Sequence, residues 1–248
     1  AEAGVMDPHQ RLALEDGYAA LHASGLRRDR LMSSITGVFA GLWPSDYSTV
    51  LPKRGAVGRG PFAVAATGAA MLVGRLSYTL GMQGPSIAFD TACSASLSAF
   101  QAAMYALKYQ DSEAALVLGV NVMCASDTSQ LFAAAQMTSP TGKSHTFDAR
   151  ANGYARGEAC CCVALLPESK GLRRVQCDAG AVRQDGKSAS LTAPNGTAQQ
   201  ALIRAALSSA GRPPRSNLQL LGNRGAFQIL TLKLRSEIQQ LAPREIEI

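Results

Sequence analysis

One segment concentrates the residue types that could do covalent chemistry: Phe89-Asp90-Thr91-Ala92-Cys93-Ser94-Ala95-Ser96, which runs directly into a helical pattern from Leu97 to Tyr109. The first turn of a helix carries unpaired backbone N–H groups, and the helix dipole favours a thiolate over a thiol there. A cysteine in that position is an activated nucleophile. Small residues on both sides keep the approach open for an acyl group, and the same N–H groups could hold a tetrahedral oxyanion. The chemistry this suggests is acyl transfer to a thiol. Without its neighbours Cys93 would read as a packed hydrophobe, the usual fate of a small cysteine in an apolar segment.

Cys93 has to be positioned by a strand on one side and a helix on the other. Ser86 to Thr91 reads as a buried strand, and Leu97, Phe100, Met104 and Leu107 recur at helical spacing behind it. Around this pair the pattern alternates strands with helices. Asp7-Pro8-His9-Gln10 supplies an N-cap, a proline at the first helical position and a Gln back-cap; Leu14, Tyr18 and Leu21 then share a face until Gly25. Ile35 to Leu42 reads as a strand, Trp43 to Asp46 and the Gly-rich 55–60 stretch as loop, and Ala69 to Leu80 as a helix closed by Gly81. Ala115 to Met123 and Cys160 to Leu166 are further strands; a helix is expected over about 128–137, then a turn-rich loop from Ser139 to Gly157. Thr197 to Ala210 reads as a helix capped by Thr197 and ended by Gly211. The alternation argues for an α/β layered fold.

Composition narrows the classes. With 248 residues, 47% hydrophobic and 17% charged, the chain can fold by burial alone. The six cysteines are not spaced like a secreted disulfide framework, so reduced thiols and a cytoplasmic setting are expected, with any targeting segment upstream of Ala1. No apolar run approaches the ~20 residues of a membrane span. The formal charge of +6 comes from scattered residues such as Arg27, Arg28, Arg30, Lys53, Arg54, Arg59, Arg173 and Arg174, without interleaved aromatics. That argues against nucleic acid as the partner and suits an acidic protein or a phosphate-bearing substrate.

Other motifs dissolve on inspection. Thr141-Gly142-Lys143-Ser144 imitates the end of a phosphate-binding loop, but the required earlier glycine is Met137. Cys160-Cys161-Cys162 is no metal site, because consecutive strand residues face opposite ways and no histidine-rich partner spacing exists; they read as core strand. Phe147-Asp148 and Arg156-Gly157-Glu158 read as a charge-paired loop supporting a pocket, and Thr192-Ala193-Pro194-Asn195-Gly196 as a turn and helix cap. The histidines His9, His22 and His145 are expected to face solvent.

Taken together, Asp90-Thr91-Ala92-Cys93-Ser94 resembles the active-site signature of β-ketoacyl synthases of the polyketide-synthase kind. Met6-Asp7-Pro8-His9-Gln10-Arg11, Gly74-Arg75-Leu76-Ser77-Tyr78, Gly84-Pro85-Ser86, Ser139-Pro140-Thr141-Gly142, Thr146-Phe147-Asp148-Ala149 and Gly153-Tyr154-Ala155-Arg156-Gly157-Glu158 follow in that family's order. The likeness covers about 1–221. It implies the thiolase fold, layered αβαβα, as a homodimer, with 1–158 as the nucleophile-bearing half, 159–221 as the start of an incomplete second half and 222–248 as a polar, helix-like tail outside the family. It implies Cys93 as the catalytic residue, with Thr91, Ala92, Ser94 and Phe147 around the substrate. No metal and no bound cofactor are implied. The acyl group arrives on the phosphopantetheine of an acyl carrier protein, moves to cysteine and condenses with a decarboxylating malonyl-type extender, in polyketide or fatty acid elongation.

Past Leu221 the family continues into His-Gly-Thr-Gly-Thr and a later Asn-x-Gly-His segment, which this chain lacks; its start also resembles an interior point of the family. Both ends read as truncated. The two missing imidazoles would stabilise the extender's enolate, so acyl loading without condensation is expected of this chain. The alternatives are a non-catalytic thiolase-fold partner, which the retained Cys93 argues against, or an inactive fragment.

Overall fold

The computed structural model describes residues 2–167, 175–190, 193–210, 219–222 and 228–234. Arg173, Arg174, Thr192, Gly211 and the 223–227 segment, all used in reading the sequence, lie outside the described residues.

A one-turn helix α1 (Glu2–Val5) precedes α2 (Pro8–Ala23), which starts as its sequence dictates: Asp7 caps it by accepting from the His9 amide, and Pro8 takes the first position. Gln10 is not a back-cap. Its amide donates to the Ala65 carbonyl (3.3 Å) and accepts from Arg75 Nε (2.7 Å), pinning α2 to a distant segment. The buried face is His9, Gln10, Ala13, Gly17 and Leu21; Tyr18, expected inside, is 38% exposed. Close approach selects this face, since a side-chain carbon on Gly17 would lie 3.1 Å from Leu116 and 3.3 Å from Leu76.

After α3 (Arg28–Leu31) comes the fully buried strand β1 (Thr36–Leu42), followed by α4 (Tyr47–Val50), two 3₁₀ turns and α5 (Ala63–Ala66). Helix α6 (Ala69–Leu80) ends where its sequence says it must, at left-handed Gly81 (φ 72°). Strand β2 (Ser86–Phe89), a 3₁₀ turn (Ala92–Ser94), α7 (Ala95–Lys108), β3 (Ala114–Asn121), α8 (Asp127–Ala134) and β4 (Ala159–Leu165) complete the first sheet. Its order is β2-β1-β3-β4, with β1 parallel to β2 and β3, and β4 antiparallel to β3. Strand β2 is not buried as its sequence suggests. It is the sheet's edge, and Ile87 is 42% exposed. Strand β4, beyond residue 158, is hydrogen-bonded into this sheet through Leu165.

A second sheet follows from β5 (Val175–Val182), β6 (Gln219–Gly222) and β7 (Gln228–Leu234) in the order β5-β7-β6, with α9 (Gly196–Ser209) packed on β5 and β7. The α9 cap is Asn195, two residues earlier than Thr197, and its side chain accepts from the Thr197 and Ala198 amides. The helix-like tail needs correction: its described residues are Gly222, which ends β6, and strand β7, central in the second sheet. The alternation Leu230-Thr231-Leu232-Lys233-Leu234 has strand period, which explains the outcome.

The core lies on the face of the first sheet that α2 and α6 cover, where Leu21, Leu76, Leu116 and Leu118 are buried completely or nearly so. Each such side chain contributes about 1.5–3 kcal/mol of burial. On the other face α7 presses against β1 and β3, and its outer side meets β5 and β7. Helix α7 thus lies between two sheets. No helix among the described residues is long and apolar enough to cross a membrane.

Candidate active site

The carboxyl ends of the parallel strands β1, β2 and β3 and the start of antiparallel β4 all lie at one end of the first sheet. In open α/β sheets this is the end where ligands bind. Cys93 sits there, exposed, on the 3₁₀ turn between β2 and α7. Ala92, before it, is left-handed (φ 50°), a conformation costly for a residue with a side chain and kept only where its surroundings impose it.

Hydroxyl groups impose it here. Thr91 Oγ1 lies 2.7 Å from Ser94 Oγ and 2.8 Å from Ser98 Oγ, and Ser94 Oγ donates to the Thr91 carbonyl (2.8 Å). Ser94 and Ser98 are buried, so these bonds tie the turn to the first turn of α7. Of the expected substrate-contacting residues, Ala92 lines the same cavity as Cys93, while Ser94 lies beneath the turn with its hydroxyl engaged by Thr91. The amides of Ser94 and Ala95 donate to the carbonyls of Thr91 and Ala92, so two of the first-turn N–H groups expected to face an oxyanion are committed inside the turn. Phe147 is 84% exposed in the 139–157 loop with φ 60°, and it is not in the wall of the Cys93 cavity.

What lets α7 sit low enough is a row of cross-strand partners, Phe89, Gly41, Gly119 and Cys161. A side-chain carbon on Gly41 would lie 2.5 Å from the Ser96 Cα, and one on Gly119 2.5 Å from Ser96 Oγ. The first turn of α7 therefore lies directly on two glycines. Helix residues nearest the sheet are small for the same reason: Ala95, Ala99, Ala103 and Ala106 are buried. Leu97, Phe100, Met104 and Leu107, the stripe that recurs at helical spacing, are half-buried and line the cavity that opens between α7, β4 and β5. That cavity, about 2310 Å³, runs along α7 from Cys93.

The three consecutive cysteines are not uniformly inside. Cys160 and Cys162 pack against the α2 side, whereas Cys161 shares the α7 face with Gly119, is exposed and lines the cavity with Cys93. Pleating forces this alternation, and an edge strand exposes its outer face.

The loop leaving β3 is held by side chains from remote segments. The Val122 amide donates to His9 Nε2 (2.9 Å), that of Met123 to Glu158 (2.7 Å), and those of Cys124 and Ala125 to the two oxygens of Asp46 (2.9 and 3.1 Å). His9 is thus buried, contrary to expectation, with Nδ1 donating to Asp7 (3.1 Å). His145 is half-buried; His22 is exposed. The expected Arg156–Glu158 pairing also fails: Glu158 serves the Met123 amide, Asp148 pairs with Arg150 (2.5 Å), and Arg156 lies over the Phe132 ring, 5.3 Å from its centre. Bonds with Arg150 hold the Asp148 carboxyl below its usual range.

The model of the family "Beta-ketoacyl synthase, N-terminal domain" matches residues 1–171. The chain is 40% identical over 223 residues to the highly reducing polyketide synthase alnA of Emericella nidulans, covering 85% of this chain and 9% of that protein. It is 42% identical over 218 residues to the lovastatin nonaketide synthase mokA of Monascus pilosus, covering 85% and 7%. Less than a tenth of these relatives' length is therefore spanned. Among solved structures, an oxazolomycin ketosynthase domain of Streptomyces albus JA3453 superposes with TM-score 0.78 at 31% identity, covering 86% of this chain and 38% of that one. The ketosynthase from module 6 of the bacillaene synthase of Bacillus subtilis 168 gives 0.75 at 29%, covering 85% and 36%. With its thiolase-like fold, its cysteine at the β2–α7 junction and a family match over residues 1–171, the chain belongs to the β-ketoacyl synthases, in their N-terminal domain.

Proposed function

We propose that this chain provides the acyl-accepting cysteine of a polyketide synthase's ketosynthase, taking an acyl group from a carrier-borne thioester. The carrying observation is Cys93 itself, exposed on a left-handed turn at the start of α7 and facing an apolar cavity. Its Sγ attacks the thioester carbonyl; the new bond is Sγ to acyl carbon, the broken bond joins that carbon to the sulfur of the phosphopantetheine arm, and the arm leaves as a thiol carrying the proton Cys93 gives up. Ala92 flanks the acyl group, while Thr91 and Ser94 hold the turn. Phe147, from the 139–157 loop, is proposed to approach the substrate at the cavity mouth. Decarboxylative condensation with a malonyl-type extender is proposed for the complete synthase, and loading alone for these residues.

The donor is proposed to be an acidic carrier protein, drawn to exposed basic residues that include Arg27, Arg28, Arg30, Lys53 and Arg59. A carrier-borne acyl thioester should label Cys93 on the order of 10-fold faster than a free acyl thioester at low salt, and the advantage should shrink as salt screens the surface charges. Mass spectrometry of the acylated chain across a salt series reads this out. Equal rates at every salt concentration would remove the carrier from the reaction.

A homodimer is proposed through β2, whose outer edge is unpaired among the described residues and exposes Ile87, with the 88% exposed Tyr78 following Ser77, whose hydroxyl bonds Ser86. Pairing of two such edges about a two-fold axis covers both. Sedimentation equilibrium should give twice the chain mass, and Ile87→Lys should give a folded monomer. A folded chain that stays monomeric at tens of micromolar defeats the idea.

A further inference from the structure

We infer that Arg156 is a binding group for an oxyanion carried by the acyl donor, either the phosphate of its prosthetic arm or the carboxylate of a dicarboxylic acyl group. This rests on the acyl-transfer reading of Cys93. Arg156 precedes β4 and so emerges at the same sheet end as Cys93, Trp43 and the loop after β3, and both it and Cys93 line the cavity. Its guanidinium lies over Phe132, 5.3 Å from the ring centre, and one nitrogen donates to Ser129 Oγ (2.5 Å). Among the described residues no carboxylate comes within 4.0 Å of it, and Glu158, two positions on, is turned away to the Met123 amide. Among the described residues the cation is held in place, half-buried and without a counter-charge.

A guanidinium offers five N–H donors in a planar fork matched to phosphate and carboxylate. With the Phe132 ring beneath the guanidinium and Ser129 taking one donor, the others are left for a ligand in the cavity, and little ordering remains to be done on binding. Trp43, the chain's single tryptophan, stands edge-on to Phe132 at 6.2 Å and lines the same cavity, so it reports on this spot.

The experiment uses the full chain carrying Cys93→Ala, so that no transfer occurs, and follows Trp43 fluorescence during titration with phosphopantetheine, pantetheine, malonyl-pantetheine and acetyl-pantetheine. At least one anionic probe should bind roughly 10-fold or more tightly than its neutral counterpart. Preference for phosphopantetheine identifies the phosphate, and preference for malonyl- over acetyl-pantetheine the carboxylate. Arg156→Gln should erase that preference and leave the neutral probes unchanged; Arg156→Lys, which keeps the charge, should restore part of it. Equal binding of anionic and neutral probes by the parent chain overturns the inference. So does a uniform loss across all four probes in Arg156→Gln, which would make the residue a prop for the cavity wall. Failure of Cys93 to accept acyl groups would sink the proposed function without touching this measurement, since no transfer is monitored.

Discussion

Cys93→Ala is expected to abolish acyl-enzyme formation, a loss on the order of 1,000-fold or more, because no other thiol combines an open approach with the start of a long helix. The rivals are weakened by their surroundings. Burial, with Asp46 close by, pushes the Cys124 thiol up to about 11, and burial together with Asp178 takes Cys177 to about 12. A hydrogen bond with Cys162 and desolvation raise Cys160 as well. For a thiol the reactive form is the deprotonated one, so a raised value means that reactivity appears only as pH climbs. At pH 8 Cys124 would be thiolate for roughly one molecule in a thousand, rising tenfold with each pH unit. Labelling by an acyl thioester or iodoacetamide near neutral pH should therefore map to Cys93, with Cys124 and Cys177 joining only in strong alkali. Cys161 is the discerning control, since it is exposed and lines the same cavity but sits in a strand, away from any helix start. Acylation found on Cys161, or unchanged in Cys93→Ala, would transfer the nucleophile's role.

Whatever depends on local chemistry is legible in this sequence, and what depends on a distant partner is not. Asp7-Pro8 opens α2 and Gly81 closes α6 because caps are satisfied within a turn. The junction that carries Cys93 is legible for the same reason. The faces of α7 are harder: Leu97, Phe100, Met104 and Leu107 form the obvious apolar stripe, yet the side against the sheet is alanine, since Gly41 and Gly119 bring the backbones too close for anything larger. Only the register of β1 with β3 reveals that pair. His9 looks like a surface residue until Val122, 113 positions away, donates to it. Arg156 likewise finds Phe132 and Ser129 through the fold, so its separation from Glu158 has no trace in the Arg156-Gly157-Glu158 string. The exposure of β2 follows from strand order, which a four-residue apolar run does not disclose. Strand β7 is the opposite case, for its alternation is plain in the sequence.

Gly41→Ala tests how far the site rests on that backbone contact. The added carbon would fall among the main-chain atoms of Ala95 and Ser96, and main chain cannot swing aside as a side-chain tip can. Helix α7 would have to lift, which loosens its alanine face from β1 and β3 and strains the Thr91–Ser94–Ser98 bonds that hold Cys93 outward. Overpacking with backbone displacement costs about 1–3 kcal/mol, and more where nothing can relax, so a loss of at least ~3 kcal/mol in denaturant unfolding is expected. Gly41→Val should leave no cooperative fold at all. Gly74→Ala is the matched control: Gly74 lies within α6 with nothing inside 4 Å of the added carbon, and the change should stabilise by about 0.5–1 kcal/mol. Gly119→Ala should cost less than Gly41→Ala, because the atom it meets is the Ser96 hydroxyl, the end of a side chain that can rotate. If Gly41→Ala melts like the parent chain and labels at Cys93 with the same rate, then α7 is not seated on β1 as described, and the geometric basis for the exposed nucleophile goes with it.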